Sequence, residues 1–260
     1  MSTMSDEDVD VLRRAKDTLE NPGLAAKITN LIGVPLEKAM MRLPNRWLAA
    51  IHRATEKSLL TALDLALTTV ETKDQVPKRN GLHRLIVAGT GAVGGAFGVA
   101  GLPVELPVST MVMLRSIADI ARSEGERLHS IDAKLACISV FALGGPSTAD
   151  DASDVGYFAI RAALAGAVAD AARYFAARGG VRQSAPAIVR LIEQIANRFG
   201  ATVTQKTAAQ AVPVVGAAGG AAVNVLFINH FQDMAWGHFT VRRLERKYGS
   251  EVVERTYQEL

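Results

Sequence analysis

Two stretches of this 260-residue sequence repeat one glycine pattern, GAVGGA at Gly91–Ala96 and GAAGGA at Gly216–Ala221, each inside a long uncharged run. No Asp, Glu, Lys or Arg occurs from Leu85 to Val104 or from Thr207 to Gln232. Runs of this kind must be covered, and the glycines indicate how. The pairs Gly91/Gly95, Gly94/Gly98 and Gly216/Gly220 are four apart, which on a helix places two residues without a Cβ on one face and lets another backbone lie against it. Gly219 extends the second pattern. Aromatic residues make up only 5% of a chain with 22 glycines, so few large rings are present to hold backbones apart. Close helix packing is the expectation.

The first run also contains G-x-G-x-x-G at Gly89, Gly91 and Gly94. A dinucleotide site needs a strand before it, a sound helix after it and an acidic residue about 20 positions on. Here Gly94, Gly95, Gly98 and Gly101 weaken the helix, Pro103 interrupts it, and no acidic strand end follows. The reading is against a nucleotide, and no cofactor is expected. Both runs are long enough to enter a bilayer. Pro103, Glu105 and Pro107 in the first, and Pro213, Asn224 and Asn229 in the second, argue against simple spanning helices, which leaves buried helices or re-entrant hairpins.

Elsewhere helical periodicity dominates. In NRWLAAIHRATEKSLLTALDLALTTVETK the residues Trp47, Ile51, Leu59, Leu63, Ala66, Leu67 and Val70 recur at three- and four-residue steps. STMVMLRSIADIARSEG reads as a helix from a Ser109 cap to Gly125, and SIDAKLACISVFALGGP as one closed by Gly-Gly-Pro. DVGYFAIRAALAGAVADAARYFAARGG and APAIVRLIEQIANRFG each end at glycine, and no run carries a strand signature. The expected fold is all-α: a single-domain helical bundle over residues 1–260, two glycine-rich helical hairpin segments packed centrally, and residues 1–8 flexible.

A net charge of +3 gives no case for nucleic acid. Its distribution is uneven, with Arg242, Arg243, Arg246 and Lys247 grouped in HFTVRRLERKYG, a patch suited to an anionic membrane surface or to a solvated helix face. The lone Cys137 sits in an apolar run as a small core residue, and the start of the sequence lacks secretory-signal character, pointing to the cytoplasmic side. Arg115, Asp119 and Arg122 stack on one helix face as a salt-bridge ladder or an anion clamp. Glu105, between two prolines, needs a partner, for which Arg115 is a candidate. His230, Asp233 and His238 are candidate catalytic groups, but His238 lies eight residues from His230, so no metal site is expected from them.

The blocks GGAFGVAGLPVELP, MLRSIADIARSEG, LACISVFALGG, AVPVVGAAGGAAVN and HFQDMAWGHFTVRRLERKYG together resemble the EcsC family across roughly residues 40–250. The resemblance implies a helical, hydrophobic bacterial protein set beside an ABC transporter and protein secretion, without established catalytic residues. Neither H-E-x-x-H nor G-x-S-x-G is present to support the peptidase label sometimes attached to such proteins. The expectation is a non-enzymatic lipid-binding or transport-accessory protein, peripheral to the inner face of the cell membrane. Its expected partners are anionic lipid, an ABC transporter or other membrane protein, or a second copy through small-residue faces. A hydrolase of lipids or peptides and a soluble partner-binding module are the alternatives.

Overall fold

Apolar positions at helical spacing become ten α-helices, with no strand, among the residues described by a computed structural model: 4–21, 23–69, 101–145, 156–178, 184–212 and 216–260. They are α1 (Asp6–Glu20), α2 (Leu24–Ile32), α3 (Leu36–Met41), α4 (Asn45–Thr69), α5 (Leu102–Ser123), α6 (Ile131–Ser139), α7 (Tyr157–Arg178), α8 (Pro186–Gln210), α9 (Gly216–Tyr248) and α10 (Ser250–Glu259). A 3-10 turn, Val140–Ala142, follows α6.

The 33-residue α9, about 50 Å long, is the axis of the fold. It packs against α1, α2, α5, α8, α10 and the 3-10 turn, while α4 lies on α5, α6 and α8, and α7 on α6 and α8. Phe227 and Phe231 of α9 meet Phe141 and Phe199 at ring-centroid distances of 5.3–6.1 Å, forming the aromatic centre of the core. A side chain seats closely on the α9 backbone at a glycine the repeat does not include: a Cβ on Gly237 would lie 2.7 Å from Leu19 Cγ of α1. Gly216, Gly219 and Gly220 occupy the first turns of this same continuous helix, whereas Gly91, Gly94, Gly95 and Gly98 lie outside the described residues. No helix among the described residues is long and apolar enough to cross a membrane.

Several boundaries differ from the sequence reading. Ser109 does not cap α5; the helix starts at Leu102, and the Ser109 hydroxyl donates to the Leu106 carbonyl at 3.1 Å inside it. Pro103 sits where a first-turn residue has no intrahelical use for its N–H, so it opens this helix instead of stopping one. Gly200 does not end α8, because buried Thr202, Val203 and Lys206 continue the packed face for ten further residues to Gln210. At the other end of the chain, Asp6, Glu7 and Asp8 form the first turn of α1, capped by Ser5.

Candidate functional site

The C-terminal half of α9 carries most of the cations singled out in the sequence, and opposing carboxylates meet each of them. Gly125, at φ +83°, closes α5 with the Glu126 N–H donating to the Ala121 carbonyl (2.9 Å) and its own N–H to Arg122 (3.0 Å), a Schellman arrangement. That turn delivers Glu124 and Glu126 to α9. Arg242 Nε donates to Glu126 Oε1 at 2.8 Å and its Nη2 to Asp132 Oδ2 at 2.9 Å; Arg243 Nε reaches Glu124 Oε2 at 2.8 Å. Arg246 bonds Glu126 and the Glu124 carbonyl, and Lys247 bonds Asp8 at 2.6 Å. Burial works against the Arg242 charge, but Glu126 and Asp132 outweigh it and raise its pKa. The basic patch is an ion-pair seam joining α9 to α1 and to the α5–α6 connection.

His230, Asp233 and His238 do not converge. Both ring nitrogens of buried His230 are unpartnered among the described residues, and burial, with the field of Lys27, pushes its pKa down to about 4. Gly144, at φ +64°, makes room for it: a Cβ there would stand 2.6 Å from His230 Cε1 and 2.5 Å from Met234 Sδ. Asp233 is exposed, and His238 is buried two turns further on with Nδ1 2.8 Å from the Tyr157 hydroxyl. No group of His, Cys, Asp and Glu able to hold a metal ion occurs among the described residues.

Glu105 is buried in the first turn of α5, but its partner is not Arg115. It accepts from Lys206 Nζ of α8 at 2.5 Å and from Asn224 Nδ2 of α9 at 3.0 Å, while Arg115 is exposed. The reason is geometric, since ten residues along a helix separate two positions by about 15 Å and turn them onto different faces. Lys206 is fully buried; burial pushes its pKa down against the pull of Glu105, and its ammonium lies 4.9 Å from the Phe227 ring centroid. Within the α5 ladder, Asp119 pairs with Arg122 at 3.0 Å.

A different surface carries cations that no ion pair engages among the described residues. Between Lys38 and Thr55 the sequence holds Lys38, Arg42, Arg46 and Arg53 and no Asp or Glu. Lys38, Arg42 and Arg46 are exposed at the corner where α3 meets α4, and no ion pair engages them among the described residues. Met41, 78% exposed, stands among them with Leu48 at 43%. Arg46 lies in the first turn of a 25-residue helix, where the macrodipole disfavours a cation and favours an anion.

A family model for the EcsC protein family matches residues 7–244. The chain belongs to the EcsC family. Comparisons with curated proteins and with solved structures give no match. In this EcsC chain the sequence reading passed over Lys206, Tyr157, Arg161 and the α3–α4 corner. Of these only the corner left a local signal, a cationic stretch free of acid around Met40, Met41 and Trp47.

Proposed function

We propose that this EcsC-family chain is a non-enzymatic protein that binds the anionic face of a membrane peripherally through the α3–α4 corner, as an accessory to transport or secretion. The observation that carries the reading is the set of cations around an exposed Met41 that no ion pair engages among the described residues. Lys38, Arg42 and Arg46 near an anionic surface contribute about 1 kcal/mol each, and Met41 entering the headgroup region about 2 kcal/mol. The sum, about 5 kcal/mol, corresponds to a dissociation constant of about 0.2 mM in accessible lipid, a reversible attachment. It assigns to α3–α4 the role that the sequence assigned to Arg242, Arg243, Arg246 and Lys247, whose charges are already matched within the fold.

Flotation with vesicles of phosphatidylcholine alone, or mixed with phosphatidylglycerol, tests this directly. Binding is expected only with the anionic lipid and is expected to fall with salt. The pair Arg42→Glu with Arg46→Glu abolishes it, Met41→Asp weakens it at every salt concentration, and Arg246→Gln leaves it unchanged. No flotation with anionic vesicles at low salt would overturn the reading.

A further inference from the structure

The sulfur atoms of the described residues are covered to very different degrees. Met113 and Met234 are buried, and Met4, Met40 and Met111 are half-buried. The single cysteine, Cys137, is buried as well, and burial pushes its pKa up, which withholds the thiolate through which a cysteine meets an oxidant. Among the described residues Met41 is the exposed sulfur, and it stands in the corner where α3 meets α4.

The contrast between Met41 and its neighbour Met40 follows from the way α3 is seated. Leu36 and Ala39 of α3 are buried, and so is Leu43, drawn inward by a turn in which its N–H donates to the Met40 carbonyl at 3.0 Å. Met40 packs against the core beside them. Met41 lies about 200° around the helix from Ala39 and therefore points away from that core. Lys38, three residues earlier, shares its side of α3, and Arg42 follows it. An apolar side chain held outward among cations gains from leaving water only when an apolar phase with an anionic surface comes against it. A change that makes this one side chain polar acts on attachment and leaves the core untouched.

We propose that Met41 is an oxidation site that switches membrane attachment, its thioether taking an oxygen atom from a hydroperoxide; the proposal rests on the membrane reading of the α3–α4 corner. In the step an S–O bond forms as the peroxide O–O bond breaks. Sulfur gives up two electrons, and the departing hydroxide takes the proton of the transferred oxygen and leaves as water. The product, a sulfoxide, is polar and no longer favours the headgroup boundary, while Lys38, Arg42 and Arg46 keep their charges. Loss of the contribution assigned above to Met41 weakens attachment about thirtyfold. The change is reversible, because a methionine sulfoxide reductase returns the thioether with two electrons from thiols and releases the oxygen as water.

Limited treatment of the full chain with hydrogen peroxide, mapped by fragment-ion mass spectrometry and followed by flotation with phosphatidylcholine–phosphatidylglycerol vesicles, decides the matter. Sulfoxide is expected at Met41 ahead of Met40 by about fivefold or more, with an unchanged melting temperature. The oxidised chain is expected to need about thirtyfold more lipid to float, and reductase with dithiothreitol to restore the original value. Met41→Leu is expected to float like the untreated chain both before and after peroxide, and Met41→Gln to float weakly under both conditions. Sulfoxide forming first at another methionine overturns the proposal, as does a loss of flotation on peroxide treatment of Met41→Leu. Undiminished flotation of the Met41 sulfoxide overturns the proposal alone, whereas no flotation of the untreated chain overturns the membrane reading and the switch together.

Discussion

His230 sits among Phe231, Met234 and the Cα of Gly144 with neither ring nitrogen matched among the described residues, so the folded protein resists charging it. Its pKa is about 4 in the fold against an ordinary 6.5. As pH falls below 6.5 the unfolded chain takes up a proton that the folded chain refuses until about 4. Folding stability is therefore lost across that window, by on the order of 3 kcal/mol from this ring. His238, whose pKa burial also lowers, adds to the loss. Urea unfolding at pH 7, 5.5 and 4.5 is expected to show the decline, and His230→Leu to remove roughly half of it; an unchanged slope in that variant would contradict the assignment. Cys137 behaves as its apolar sequence neighbourhood implies, a buried thiol whose pKa burial pushes up to about 12.

Three helices share one buried charge pair, Glu105 of α5 with Lys206 of α8, bridged to α9 by Asn224. Removing one partner strands the other charge in the core, so Lys206→Met or Glu105→Leu alone is expected to destabilise by about 3–5 kcal/mol. The double variant is expected to be considerably more stable than the sum of the two, and denaturant titration of the four proteins measures that coupling. Such a pair shows how far the sequence is legible. Periodicity locates α4 because Ile51, Leu59, Leu63 and Ala66 are buried by their neighbours in space at intervals that one helix dictates. Nothing local links Glu105 to a lysine 101 positions away, or Arg242 to Glu126 at 116. Where local rules conflict, packing decides: glycine at position 200 and proline at 107 both lie inside helices whose buried faces outweigh them.

At the scale of the whole molecule, α1 is fastened to the far end of α9. Asp8 accepts from Lys247 at 2.6 Å and from the Tyr248 hydroxyl at 2.7 Å, and these bonds lower its pKa from 3.8 to about 2. A carboxyl depressed by folding contributes stability above its ordinary pKa and loses it as pH falls toward the depressed value. Protection of the α1 amides, read as exchange relative to the intrinsic rate at each pH, is therefore expected to be high at pH 5 and to fall at pH 3, and Asp8→Asn is expected to be weakly protected at both. Slow exchange in that variant at pH 5 would show that the apolar stripe Leu12, Ala15 and Leu19 holds α1 unaided.

This fastening has a consequence for biosynthesis. The surface that receives α1 is translated some 240 codons after it, which at about 5–20 residues per second is on the order of tens of seconds. Throughout that interval the nascent chain carries Leu12, Ala15 and Leu19 with their docking partner still unmade, and a holdase arriving at the ribosome would find them first.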